Sequence, residues 1–465
     1  MNYTHSCDSM NTTKNKHSLK SLLFLGALVV FLANTQSASA QTNSVSPLSI
    51  NGIGETSFGI TPTYLGLGGT GIAYSDRYTI NMMNPAGYMN MEYATLEMSG
   101  AHRSFRHTIS TDSVDQANYN TYFDYFGFGF KFSDWIAGSF SLSPFAAKGY
   151  SISVADSSDD FGLYEYRSTG SGGYDKFTFG LAVRPVDWFS LGANVKYIFG
   201  ETTQSDKTII VNPAFLSVSK TQKIGISDFS FDLGTQLQGK IGKYKIAGGA
   251  VYGFGRAMNA REITTQYSFI NSGIVETPID TLFYNLSENG TVTLPTSYGI
   301  GIGISKIVEN VPVNAWDIVV DYRVTNWQEF KSFTSFGGTP SESAMLSSKR
   351  ISAGAVMVPL YLFPALKRSS NYLTVARYRI GAFQEYGQYR WDEEAYTSRE
   401  INVGMSLPVV YRSLAPGEQK ASFLNVSIGR GQRWDGNTAN LKEDYWNFNI
   451  GITLNDKWFQ KFKYR

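Results

Sequence analysis

Beyond residue 40 the chain has no cysteine, only two histidines and no apolar run long enough to make a membrane helix. The one cysteine, Cys7, lies upstream of Leu22–Ala33, so a disulfide or thiolate metal site is excluded from the rest of the chain. Leu22–Ala33 is itself the longest apolar run, and it falls short of the roughly 20 residues a spanning helix needs. Charge is scarce as well, with Asp, Glu, Lys and Arg making up 17% of 465 residues. Three of the 40 basic residues and one of the 38 acidic residues precede Gln41, which leaves 37 of each and a formally neutral chain. With no basic surplus to displace counterions, nucleic-acid binding by bulk electrostatics is excluded. Any general base working near neutral pH has to be His102 or His107.

What the chain does have is glycine and aromatic residues. There are 45 Gly, 31 Phe, 29 Tyr and 8 Trp, a composition foreign to helical, coiled-coil or disordered chains. Few charges, many aromatics and no long apolar run point to a β-protein with much of its surface in lipid. The first forty residues read as a secretory signal peptide. Lys14, Lys16 and Lys20 give the positive region, Leu22–Ala33 the apolar core and Ala38-Ser39-Ala40 the cleavage site. The expected home of the remainder is the outer membrane of a Gram-negative cell, as a multi-pass barrel.

From Gln41 onward the dominant period is two. Phe126, Phe128, Phe130 and Phe132 alternate with Gly127, Gly129 and Lys131; Trp316, Ile318, Val320, Tyr322 and Val324 alternate with Asp317, Asp321 and Arg323. Side chains alternate across a strand, so each segment has one apolar face and one small or polar face. Many segments run to about ten residues, the length a tilted strand needs to cross a bilayer, against about five or six for soluble strands. Fourteen strands are expected, near 93–101, 119–132, 136–144, 174–184, 189–199, 226–238, 244–254, 293–305, 314–326, 350–358, 373–383, 401–411, 421–430 and 445–454. The connections alternate short and long. Ser133-Asp134-Trp135 and Pro185-Val186-Asp187-Trp188 are tight turns, whereas 145–173, 200–225 and 255–292 read as long loops. Outer-membrane barrels have this rhythm, with short turns in the periplasm. The fold class is therefore all-β, a transmembrane antiparallel barrel over residues 92–465. A barrel this wide cannot fill its lumen with strand side chains. Residues 41–91, Gly-rich and poor in alternation, are the expected lumenal hatch.

That segment reads Leu65-Gly66-Leu67-Gly68-Gly69-Thr70-Gly71-Ile72-Ala73, then Asp76, then Asn84-Pro85-Ala86-Gly87 just before the first strand. This order resembles the N-terminal hatch motif of the FadL family of outer-membrane transporters. Asp321-Tyr322-Arg323-Val324-Thr325-Asn326-Trp327 is similar to that family's strand ending in Thr-x-Trp. Arg350-Ile351-x-x-Gly354 and Arg377-Tyr378-Arg379-Ile380-Gly381-Ala382 resemble the two strands after it. The likeness implies a monomeric fourteen-stranded barrel with a hatch, passing hydrophobic or amphipathic compounds such as fatty acids or aromatic hydrocarbons. The hatch-motif residues it assigns are Gly68, Gly69, Gly71, Asp76, Asn84, Pro85 and Ala86. The chain departs from the family in lacking an apolar loop for first capture and in ending on the basic, aromatic stretch Trp458–Arg465. Barrels related to FadL also serve type IX secretion, and Ile53-Gly54-Glu55 ahead of the glycine run is similar to the plug-like branch of that group. The alternative function is thus a non-transporting barrel acting as plug or accessory subunit of a secretion translocon.

Candidate chemistry is thin. Gly66-x-Gly68-Gly69-x-Gly71 lacks the strand before and helix after that a phosphate loop requires, so it reads as backbone flexibility in the hatch. His107 with Ser110 and Asp112 has the ingredients of a hydrolase triad, although serines are common in such loops and the chain reads as a non-enzyme. Asp156, Asp159 and Asp160 lack the ligand order of a Ca²⁺ loop, and no metal or cofactor is expected. The informative charges are those on inward faces. With apolar residues to lipid, Lys176, Arg184, Lys196 and Asp232 point to the lumen. So do Asp317, Asp321, Arg323, Arg377 and Arg379, a candidate polar path with arginine as a bidentate partner for a carboxylate. The plainer reading, and the favoured one, is that these charges hydrate or tether the hatch. Trp135, Trp188, Trp316 and Trp327 near strand ends are expected interfacial anchors. The expected partners are outer-membrane lipids, a hydrophobic small-molecule ligand and, in the alternative, a translocon protein.

Overall fold

The computed structural model describes residues 44–456 apart from 58, 110–113, 272–274, 310–312, 333–340, 343–344, 364–371, 392–393, 416–417 and 438–439. The signal peptide, Ser110, Asp112 and the C-terminal stretch Trp458–Arg465 lie outside the described residues. Fourteen antiparallel strands form a closed ring. They are β1 (Ala94–Ile109), β2 (Val114–Ser133), β3 (Ile136–Ala147), β4 (Gly162–Val186), β5 (Phe189–Ile210), β6 (Ser217–Ile241) and β7 (Tyr244–Gly253), then β8 (Ser297–Ile307), β9 (Asn314–Thr325), β10 (Ser348–Met357), β11 (Arg377–Trp391), β12 (Glu394–Ala415), β13 (Glu418–Trp434) and β14 (Lys442–Asp456). Each pairs with the next in number, and β14 returns to β1 from Ala94↔Asp456 to Thr108↔Lys442. Closure satisfies every ladder and leaves the ring without an edge, the condition for crossing lipid on strands. Among the described residues no helix is long and apolar enough to cross a membrane.

The alternation read from the sequence sets the facing. Along β14, Trp446, Phe448, Ile450, Ile452 and Leu454 point outward and are exposed, while Asn447, Asn449 and Thr453 point inward and are buried. A tilted strand presents a continuous apolar band to lipid only if every second residue is apolar. All fourteen expected segments are strands of the ring.

The long loops are where the structure differs. β4, β5 and β6 run for 25, 22 and 25 residues, far beyond what a bilayer requires. Their upper halves keep pairing, and two hairpin arms join them. Tyr150–Ser158 adds to β4, and Arg256–Asn271 with Glu276–Leu294 adds to β6. The result is a six-stranded sheet projecting from the long-loop end. Stretches such as Thr202-Thr203-Gln204-Ser205 are polar on both faces, so they carry no alternation to read; backbone pairing with a neighbour makes them strands. One face of this sheet covers a cluster of Ile53, Tyr174, Ile198, Met258, Val292, Trp327 and Phe330. Trp327 is therefore a core residue beneath the sheet and not an interfacial anchor. Trp135 and Trp188, 61% and 59% exposed at the short turns, have the expected placement, and Trp316 stands half-buried beside Tyr244.

Candidate functional site

The lumen is occupied by residues 44–91. They make little regular structure: a turn at Pro47–Ile50, a two-residue bridge Glu55–Thr56 to the end of β3, a single helical turn Pro62–Leu65 and a 3-10 turn Pro85–Asn90. Proline starts each turn, where its missing N–H and fixed φ are least costly. Asn84, extended at φ −143°, caps the last turn by accepting from the Ala86 amide at 3.0 Å. Its amide nitrogen donates to the carbonyls of Ile72 at 2.7 Å and Thr235 of β6 at 2.9 Å. One side chain thus holds the turn, the glycine run and the wall together.

Glycines on the inner wall let this backbone approach. A Cβ on Gly354 of β10 would come within 2.6 Å of the Leu67 carbonyl oxygen, and Gly404 of β12 would bring its Cβ to 3.0 Å from Gly66. Gly381 meets Leu67 and Gly68, Gly192 meets Pro85 and Ala86, Gly234 meets Asn84 and Pro85, and Gly249 and Gly301 meet Ile72 and Ala73. Seven strands contribute one glycine each to this seat. Within the segment Gly68 and Gly69 have φ of 69° and 75°, a backbone that residues with a Cβ resist.

Charge then fastens the segment. The amides of Gly71 and Ile72 donate to one oxygen of Asp321 at 2.7 and 2.9 Å. Asp76 pairs with Arg377 and lies 3.7 Å from Arg379, while the Tyr78 amide donates to it at 3.1 Å. Burial pushes the Asp76 carboxyl up, but the two guanidiniums outweigh burial and hold it below the usual carboxylate range. Arg350 donates to the Gly68 carbonyl at 3.1 Å and to Glu385 at 3.2 Å. At the long-loop end Glu55 pairs with Arg433 and, at 2.9 Å, with Arg103, and Ser46 donates to Glu443 at 2.5 Å.

The hatch-motif residues Gly68, Gly69, Gly71, Asp76, Asn84, Pro85 and Ala86 are all buried at these contacts. The five charges of the candidate path divide. Asp321, Arg377 and Arg379 grip the N-terminal segment. Arg323 and Asp317 line two different cavities, so the five do not form one continuous track. Glu55, Arg103, Arg433 and Glu443 were not singled out from the sequence. Arg433 lies beyond the 421–430 segment recognisable by alternation, and only the Ile53-Gly54-Glu55 likeness touched this cluster. His107 sits buried with Nδ1 3.4 Å from Glu443, whose same oxygen accepts from Ser46. That carboxylate stands between His107 and Ser46, while Ser110 and Asp112, the partners expected for His107, lie outside the described residues. Asp156 is engaged by Tyr164 at 3.2 Å and the Ser157 amide at 2.8 Å.

A cavity of about 180 Å³ lies between the segment and the wall from β3 to β11. Met82, Met83, Phe145, Phe254, Leu294 and Trp327 contribute apolar surface to its lining. Lys176, Lys196, Arg323, Asp232 and Glu385 add charge to the same lining, with Lys196 bound to Asp232 at 2.7 Å. The buried hydroxyls of Ser143 and Thr178 open onto it without a hydrogen-bond partner.

A family model named BamG matches residues 20–465, nearly the whole chain. The chain belongs to the BamG family. A comparison with curated proteins finds no match for this BamG-family barrel. Among solved structures it is similar to the Pseudomonas putida toluene transporter TodX, with TM-score 0.54 and 11% identity over 86% of this chain and 99% of that one. It is also similar to a Pseudomonas aeruginosa FadL homologue, TM-score 0.52 and 10% identity over 87% and 99%, and to the Ralstonia pickettii toluene transporter TbuX, TM-score 0.51 and 13% identity over 85% and 98%. At such identities the shared property is the fold. The BamG-family barrel is FadL-type.

Proposed function

We propose that this barrel resides in the outer membrane with its short turns in the periplasm and conducts hydrophobic or amphipathic small molecules inward. Residues 44–91 are its hatch. The carrying observation is the amphipathic 180 Å³ cavity, whose lining combines apolar side chains with Lys176, Lys196, Arg323, Asp232 and Glu385. An apolar engineered cavity of about 150 Å³ admits benzene, so a single ring with a polar head, or one end of a fatty acid, is the right size. The ligand's own partitioning supplies the driving force, and no reaction is involved. The fold, shared with toluene transporters, supports the reading.

Deleting residues 44–84 removes the two-residue bridge Glu55–Thr56 but leaves the pairing of the fourteen ring strands in place, so the barrel should assemble and pass small ions freely in planar bilayers. A deletion variant no more conductive than wild type sinks the hatch. A second reading is favoured by one observation. The projecting hairpin exposes Ile279, Leu282, Tyr284 and Leu286, which suits an accessory or plug subunit of a secretion translocon. Native mass spectrometry of gently purified protein separates the two, because a bound small molecule supports transport and a stable protein complex supports the accessory role.

A further inference from the structure

A separate cavity of about 240 Å³ opens at the short-turn end of the ring. The hatch supplies one side of it, through residues 74–77 and 89–92, and strand ends supply the other. Its charge is lopsided. Five cations line it against Asp76, Glu92 and Asp317. Three of the five are committed: Arg77 to Glu92, Arg377 to Asp76, and Lys131 to Asp134 at 3.2 Å, outside the cavity. Arg184 and Lys245 remain: among the described residues neither has a carboxylate at ion-pair distance, with Asp134 and Asp187 acting on Arg184 and Asp317 on Lys245 from farther off. Arg184 donates to the neutral amide oxygen of Asn90 at 2.6 Å, which Gln238 shares at 2.8 Å. Asp317, the acid facing Lys245, already accepts from Asn314 at 2.6 Å. Two half-buried cations on one polar cavity are costly unless a counter-charge joins them.

We propose that this cavity binds an oxyanion, a carboxylate or phosphate group entering from the short-turn end. Arg184 presents the planar fork and Lys245 the point charge. The proposal does not depend on transport, since a barrel that passes nothing can still hold an anion here. It also couples the site to the hatch: Arg377 lines the same cavity, so a bound oxyanion competes with Asp76 for it.

The test is calorimetric titration of the full-length protein in detergent with inorganic phosphate, and in a second arm with a short acidic peptide. Wild type should bind at least one of them. Arg184→Gln with Lys245→Gln should weaken that binding at least tenfold, while Lys243→Gln, on the neighbouring turn and paired with Glu309, should leave it unchanged. Heat-modifiable gel mobility confirms folding, and the single variant Lys245→Gln serves if the double one misassembles. Tighter binding of peptide than phosphate assigns the oxyanion to a polypeptide, and the reverse assigns it to a free anion. Absence of binding in both arms, or equal binding by wild type and the glutamine variants, overturns the proposal.

Discussion

Glu55 and Asp76 are carboxylates of the N-terminal segment buried against arginines, and acid should release both. Burial pushes Glu55 up, yet Arg433 and Arg103 outweigh it and bring its pKa from 4.5 down to about 2. A carboxyl depressed in the folded state contributes stability above its unfolded pKa and loses it as pH falls through the folded one. The window is thus from about 4.5 to about 2, and the contribution is on the order of 3 kcal/mol. Hydrogen exchange of residues 44–60 should accelerate across that window, and Glu55→Gln should show the accelerated rate already at neutral pH. A wild-type profile flat between pH 5 and 2 contradicts this. Gly381 is a second residue with a sharp consequence, because its missing Cβ is what lets Leu67 and Gly68 lie on the wall. Gly381→Val should cost roughly 1–3 kcal/mol of hatch docking through overpacking. The measurable result is raised ion conductance from a barrel whose unheated gel mobility is unchanged.

Strands and their facing were legible because lipid enforces period two. Phe128 and Val320 point outward, and Val320→Arg should hinder assembly by about 2–4 kcal/mol near mid-bilayer, seen as loss of the heat-modifiable band. Gly129 is instructive for the opposite reason. From the sequence it faces a wide lumen in which an arginine could be hydrated; in the structure a Cβ there would lie 2.7 Å from the Met91 sulfur and 3.0 Å from Ile80. Gly129→Arg should therefore preserve the barrel and expel the hatch end, raising conductance where Val320→Arg lowers the folded yield. Equal behaviour of the two variants contradicts the facing. The projecting sheet was not legible, because strands rich in Ser and Thr on both faces leave no periodic trace even where one face is buried. The same holds for the seat. Gly192, Gly234, Gly354 and Gly404 look like any small residues alternating with apolar ones, and only the docked backbone shows that their lack of a side chain is required.

For the whole molecule, the order of joining follows from which strands meet. The first strand and the last form the seam, so the ring shuts only when the final residues of the chain arrive. Residues 44–91 touch the inner surface on every side, from Glu97 of β1, which accepts from the Ile80 amide at 3.2 Å, round to Gly451 of β14 beside Pro62. Where the segment's backbone lies against wall glycines, as Leu67 does on Gly354 and Gly381, a folded insert has no room to slide along the bore. If residues 44–91 must be in place before the seam meets, they act as a mandrel on which the wall is wound. A separate peptide of residues 44–91 should rescue low conductance when refolded together with a barrel lacking it, and should fail when added to that barrel after closure.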